Sequence, residues 1–332
     1  MLAQKRLPPA LCRLSRYLYM LRQTAMMIAI SCCCAAQDRV LWKDPGDVER
    51  INFDYAAGGL EQPPREPFYF LEERFGGSSP KVLVRDSAGI KWRVKGGYET
   101  RAESFVTRLV AALGYYVYPV WFIASGKVNG ASSLKRAAGF IHTDGSFPEA
   151  SFEQRDRTVS KLSQDWMWTA NPFLGTREFK ALKIVMMLVS NWDNKDARER
   201  RSGSNTEITQ RQVGGRIRLI YQVSDWGQTM GAWGAELEPK GWDCGKFTAQ
   251  TALFVQGRAG QYVRFGYVGR HTDDFKNDIT IEDVRWLMQY LGRLLDSQIQ
   301  QGLKASGATP GDAVCFDAQL RERINQLRRI ID

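Results

Sequence analysis

Three short segments, met in a set order, constrain this chain more than any other feature. Ile90-Lys91-Trp92-Arg93-Val94-Lys95 is a β-type run ending in a lysine. Asn191-Trp192-Asp193-Asn194-Lys195-Asp196 is an acidic loop behind a strongly apolar stretch, and Val223-Ser224-Asp225-Trp226-Gly227 is an Asp-aromatic-Gly behind another β run. Each alone reads as ordinary structure. Together they are what a fold needs to hold a nucleoside triphosphate and its metal: a strand lysine, a carboxylate loop locked by a buried helix, and a carboxylate at a sharp turn.

The 332 residues suffice for one large domain or two lobes. A hydrophobic content of 44% with 25% charged residues belongs to a globular chain rather than a disordered one. Residues 1–36 stand apart. They carry Lys5, Arg6, Arg13, Arg16 and Arg22 and no Asp or Glu, followed by an apolar run at 25–30, then Ser31, three cysteines and Ala35-Ala36. That order is a secretory signal peptide, and the run is too short to span a bilayer. Cleavage after Ala36 and a lipoprotein-type cleavage ahead of Cys32 both stay open, as does Met20 as the start. The expectation is an exported protein, periplasmic or extracellular, that meets a membrane only through this leader or a lipid anchor.

Removing the five leader cations takes the formal net charge from +10 to +5, so much of the basic character leaves with the leader. No nucleic-acid partner is expected. Beyond the leader only Cys244 and Cys315 remain, and an oxidising compartment would permit a disulfide between them. With no CxxC pair, and His142 far from His271, a structural zinc site is not expected.

Along the chain, residues 37–67 read as an extended lead-in, Pro-rich at its end. Lys81–Arg85 and Ile90–Lys95 form a hairpin around Asp86-Ser87-Ala88-Gly89. A helix is predicted over Glu99–Leu113, stopped by Gly114, with strands at Tyr116–Ile123 and Leu134–His142. These make a small mixed lobe spanning 68–147. From 148 to 332 the chain turns helical: a buried helix over Arg177–Ser190, a charged loop over 198–215, a strand over Arg216–Tyr221, and amphipathic helices over Ile281–Gly302 and Phe316–Ile330. The expected class is α+β, in two lobes.

Lys95 closes the strand before the first helix, and Glu103 lies two turns into it, where a carboxylate can hold a phosphate-pairing lysine in place. Phe75-Gly76-Gly77-Ser78-Ser79-Pro80-Lys81 is a loop whose amides can face phosphate oxygens at Gly76, Gly77, Ser78 and Ser79. It lacks the GK[ST] ending of a Walker A motif. Asp193 can accept a hydroxyl proton, and Asp225 can ligate Mg²⁺ or Mn²⁺. Taken singly, these are also a surface strand–helix pair, a plain loop, a polar turn and a turn with a core tryptophan.

As an ordered set, Lys95, Glu103, Asp193 and Asp225 resemble the protein-kinase-like superfamily, nearest to the HipA-type serine/threonine kinases, from about Phe75 to Ile330. The Gly-Gly-Ser-Ser-Pro-Lys loop, the Trp-Arg-Val-Lys strand, Glu103-Ser-Phe-Val-Thr-Arg-Leu109, the Asn-Trp-Asp loop and Val-Ser-Asp-Trp-Gly carry the resemblance. It implies a two-lobed kinase-like fold and ATP as cofactor. Lys95 would bind phosphate, Glu103 orient it, Asp193 act as base and Asp225 ligate the metal. The implied reaction moves the γ-phosphoryl of ATP to a protein or other hydroxyl acceptor. A nucleotide-binding or scaffold module at the cell envelope without turnover, and a sugar kinase, are the rival implications. Two positions depart from the pattern. Arg198 stands where such kinases place a metal-holding Asn, leaving Asn194 or Asp196 as substitutes, and Asn191-Trp192 replaces the usual His-Arg.

Overall fold

In the computed structural model, which describes residues 37–57, 62–77, 79–154, 159–234 and 241–332, the lead-in is not a loose arm. β1 (Asp38–Val40) pairs in parallel with the distant Arg216–Val223 segment. Leu41, Val48, Phe53, Ala56 and Ala57 are buried, with a 3₁₀ turn at Val48–Arg50 between them. Scattered apolar residues among the polar ones anchor the stretch; their irregular spacing hides this from a periodicity reading. The stretch expected to be a signal peptide, residues 1–36, lies outside the described residues.

The hairpin expected from alternation forms as β3 (Lys81–Arg85) and β4 (Lys91–Lys95), after β2 (Phe68–Arg74). Val82, Val84, Trp92 and Val94 point to one face and are buried against Phe68, Phe147 and Phe152. The Asp86 carboxylate accepts the Ile90 amide at 2.8 Å and the Trp92 indole at 2.9 Å, closing the turn. Next come α1 (Glu99–Ala112), β5 (Val120–Ile123), β6 (Gly126–Asn129), β7 (Ser146–Phe147) and β8 (Ala150–Gln154). The sheet order is β5-β8-β4-β3-β2-β6-β7, so it runs on to Gln154, past the boundary expected at 147. No strand forms over 134–142. The amides of Lys135, Arg136 and Ala137 are taken by the Glu73 carboxylate instead, and Ala137–Gly139 is a 3₁₀ turn.

α1 is wedged. Only Arg101 and Ala111 along it escape burial. One face packs on β5 and β8, and another meets a C-terminal helix, where a Cβ added to Gly302 would lie 2.8 Å from Phe53 and 3.2 Å from Phe105. Arg108 donates to the carbonyls of Phe53 at 3.0 Å and Val120 at 3.2 Å, tying lead-in, helix and sheet together.

The second half is mainly helical, apart from two small sheets. β9 (Val159–Lys161), β10 (Thr206–Val213) and β11 (Arg216–Val223) complete a sheet of order β1-β11-β10-β9. β10 corrects the expected loop over 198–215. Its polar content conceals a strand, but Gly214 and Gly215, both at positive φ, form the two-residue turn that pairs it with β11. α2 (Arg177–Leu188) is the buried helix, capped by the Thr176 side chain on the Phe179 amide. Then follow α3 (Cys244–Thr251), β12 (Val255–Ala259), β13 (Tyr262–Phe265), α4 (Thr272–Lys276), α5 (Ile281–Leu291), α6 (Asp296–Ala305) and α7 (Pro310–Ile331). The single helix expected over 281–302 is two, broken after Gly292, with the Gln298 side chain accepting the Leu295 amide to start the second. The last helix begins earlier than expected, at Pro310 behind a Thr309–Asp312 capping box. The chain is thus α+β, with a sheet-rich N-terminal part and a mainly helical C-terminal part. Among the described residues no helix is long and apolar enough to cross a membrane.

Cys244 and Cys315 form a disulfide that joins α3 to α7 across 71 positions of sequence. A bond closing so long a loop stabilises the fold mainly by restricting the unfolded chain, by about 2–4 kcal/mol. A Cys244→Ser/Cys315→Ser double variant should therefore unfold at lower urea. Dithiothreitol should shift the wild type towards it and leave the variant unmoved; coincident curves for both proteins would show that the bond adds nothing.

Candidate active site

Strand register builds one wall of the site. Lys81 on β3 stands opposite Lys95 on β4, which stands opposite Ser151 on β8. Directly opposed residues share a sheet face, so this row lies on the side away from Trp92 and Val94. The next row carries Arg93 opposite Glu153, joined as an ion pair. α1 covers the β8 and β5 end of these rows and leaves the β3 end open.

Lys95 and Glu103 meet under that helix. The Lys95 Nζ donates to Glu103 Oε1 at 2.6 Å, and Ser151 Oγ donates to Glu103 Oε2 at 3.1 Å. Both residues are at most 3% exposed. Burial would draw the Lys95 ammonium down, but Glu103 and then Asp225 outweigh it and hold it above the usual lysine range. For Asp225 burial would raise the carboxyl. Lys95, the Gly227 amide, Arg93 and Lys195 oppose that and keep it below the ordinary carboxylate range. The strand lysine and the Asp-Trp-Gly carboxylate are therefore close enough for each to stabilise the other's charge.

The Asp-Trp-Gly turn is folded by its own residues. Asp225 Oδ1 accepts the Gly227 amide at 3.0 Å, and Trp226 is buried with its indole on the Val223 carbonyl. Gly227 is required for closeness: a Cβ there would sit 2.8 Å from the Glu99 Cβ and 2.9 Å from its Oε2. Glu99 bridges both halves of the chain. It accepts Ser79 Oγ from the glycine loop at 2.7 Å and Gln228 Nε2 from beyond Asp225 at 2.7 Å. Burial and the Asp225 charge push its carboxyl up. Beside it a cleft of about 220 Å³ is lined by Ser79, Pro80, Gly96, Gly97, Tyr98, Glu99, Gly139 and Phe140.

The loop of Asp193 leaves α2 through Ser190, which has a φ of 55°. Asn191 Nδ2 donates to the Asp225 carbonyl at 3.3 Å, Tyr267 donates to the Asn191 carbonyl, and Asn205 Nδ2 donates to the Asp193 carbonyl at 2.7 Å. Asp193 Oδ2 pairs with Lys195 at 3.1 Å, whereas its buried Oδ1 has no hydrogen-bond partner among the described residues. The Lys195 charge also helps keep Asp225 ionised, so one cation acts on both carboxylates.

Asn194 and Asp196 are turned away, which corrects their place as candidate metal ligands. Asp196 is fully buried, and its oxygens are used by the Trp168 amide and by Arg198 at 2.7 Å. Asn194 Oδ1 accepts the His271 amide at 3.0 Å. Arg198 also pairs with Asp274, so it braces the loop from behind and brings no cation to Asp225. Among the described residues no group of three or more His, Cys, Asp or Glu could hold a metal by itself. Gly76 and Gly77 form the exposed loop tip, with the Gly77 carbonyl held by Arg136 at 3.0 Å. Ser78 lies outside the described residues, and the Ser79 hydroxyl is spent on Glu99.

Sequence reading missed Glu99, Lys81, Lys195 and Gln228. Glu99 was legible, being four residues before Glu103 and so on the same helix face. Lys81 was legible too, as the hairpin turn sets it across from Lys95. Gln228 carried no signal.

No family model matches the chain, and no curated protein matches it. Among solved structures, that of the Golgi casein kinase is similar over 81% of this chain and 73% of that one, at 8% identity and a TM-score of 0.36. The Golgi casein kinase with Mn/ADP bound is similar over 81% and 72%, at 10% identity and a TM-score of 0.38. At that level of likeness, activity has to be argued from this chain's own side chains.

Proposed function

We propose that this chain is an exported, atypical kinase-like phosphotransferase that moves the γ-phosphoryl of ATP, in company with Mg²⁺ or Mn²⁺, to a hydroxyl acceptor on a protein or small molecule. The buried Lys95–Glu103 pair, within electrostatic reach of the ionised Asp225, carries this reading. A lysine so oriented binds phosphate oxygens, and a carboxylate kept ionised in a cleft suits a hard divalent cation, which takes few protein ligands when phosphates supply the rest. Asp225 would hold that cation, with Glu99 the carboxylate beside it; when bound, it neutralises phosphate charge. In the reaction the acceptor oxygen attacks the γ-phosphorus, its proton passes to Asp193, and the bond to the β-phosphate oxygen breaks, its electron pair leaving on ADP. The free Oδ1 of Asp193 suits that proton acceptor. Lys195 holds the other oxygen. The finer HipA-type assignment rests on motif resemblance alone. The leader and the Cys244–Cys315 bond support export.

A nucleotide-binding module without turnover is the second reading, favoured by Arg198 at the expected Asn position and by Asn194 and Asp196 facing away. Both readings require a rise in melting temperature with Mn²⁺ plus ATP. Asp225→Asn and Lys95→Met should each erase that rise. A wild type whose melting is indifferent to Mn²⁺ and ATP would sink both readings at once.

A further inference from the structure

We propose that Lys81 is a second phosphate-contacting cation of this cleft, taking the nucleotide's phosphate chain from the open end of the row that Lys95 shares; the inference rests on the nucleotide-binding reading above. Four observations carry it. Lys81 is directly opposite Lys95 in register, so both side chains leave the same face of the sheet. That face is roofed by α1 over β8 and β5, whereas Lys81, on β3, stands outside the roof. Its ammonium lies back over the glycine loop, where a Cβ built on Gly77 would be 3.1 Å from Nζ. Among the described residues it forms no ion pair and no hydrogen bond, in contrast to Lys95, which is locked on Glu103. A half-buried ammonium with no ion-pair partner among the described residues, lying against the glycine loop, is free to take a ligand of opposite charge.

The groups around it agree. From β4 the cations Lys95 and Arg93 face it, from β2 Arg74, itself paired with Glu72, and from α1 and the Asp-Trp-Gly turn the carboxylates Glu99 and Asp225. Burial, then Lys95 and Arg93, draw its pKa down to about 8 against the opposing pull of Asp225 and Glu99. A bound polyphosphate raises that value again. Between the free and bound values the complex holds the extra proton, so ATP affinity falls as pH rises above about 8.

Brief acetylation of the full chain with an amine-reactive ester at pH 8, read by peptide mass spectrometry, tests this directly. Lys81 should be modified and Lys95 spared; Mn²⁺ plus ATP should protect Lys81, and adenosine should not. In calorimetry Lys81→Met should bind ATP roughly ten- to thirtyfold more weakly, as expected for loss of one charge-assisted phosphate contact. Lys81→Arg should stay near wild type and lose the decline above pH 8. Lys81 modified equally with and without ATP, or Lys81→Met binding ATP like wild type with the same pH profile, overturns the inference while the kinase-like reading stands. No ATP binding by the wild type overturns both.

Discussion

An Asp193→Asn variant is expected to transfer phosphoryl roughly 10²–10⁴ times more slowly while keeping the ATP-dependent rise in melting temperature. The amide is nearly isosteric, so the Asn205 bond to the backbone at 193 survives, as does the brace behind the loop. What disappears is an acceptor for the hydroxyl proton. Lys195 also loses its anionic partner, so it shifts towards Asp225 and the phosphates, and ATP affinity should hold or tighten slightly. The split is the diagnostic: turnover collapses and binding does not. Wild type and variant with the same measurable transfer rate would remove Asp193 as base. No transfer by either, with binding in both, is the signature of the module without turnover.

The second large effect is on stability. Arg323, on α7, is wholly buried and has no carboxylate partner among the described residues. It donates to the Leu188 carbonyl at 2.8 Å, Ser190 Oγ at 2.9 Å, the Phe247 carbonyl at 3.1 Å and Thr251 Oγ1 at 3.2 Å, with its guanidinium carbon 3.6 Å from the Phe247 ring centre. Burial draws its pKa well below the usual guanidinium range. The Leu188 carbonyl ends α2, where the helix dipole is negative, so the cation offsets that pole and holds the turn that launches the Asp193 loop. Arg323→Ala strands several buried acceptors at about 1–3 kcal/mol each and leaves a void, partly offset by relief of guanidinium desolvation; a net loss of roughly 3–5 kcal/mol is expected. Arg323→Lys should recover only part of it, because one ammonium cannot reach acceptors arranged around a planar fork. A urea midpoint for the alanine variant equivalent to less than about 1 kcal/mol of loss would refute this role.

What could be read ahead of the structure follows a physical line. Periodicity exposed β3, β4, α1 and α2, because each carries apolar residues at the spacing of its own element or, in α2, a nearly continuous apolar run. It failed for β10, where Thr206, Glu207 and Thr209 are buried polar residues. It failed again at 134–142, where a single carboxylate, Glu73, replaces a partner strand. Lys95, Glu103 and Asp225 were legible because a strand end, a helix face and an Asp-aromatic-Gly turn are local features. The direction in which Asn194 and Asp196 point was not legible. It depends on Trp168 and His271, which reach the loop from two distant stretches of chain, and on Arg198, which folds back onto Asp196 from two residues on.

The wedging of α1 has a consequence for control. A helix pinned between sheet, lead-in and α6 has nowhere to swing, so the Lys95–Glu103 bridge is a standing part of the architecture rather than a contact made on demand. Amide exchange along α1 should then be as slow as along α2, with or without ATP; fast exchange that ATP suppresses would show a mobile helix. On the proposed kinase-like reading, control then falls on when and where nucleotide and acceptor arrive.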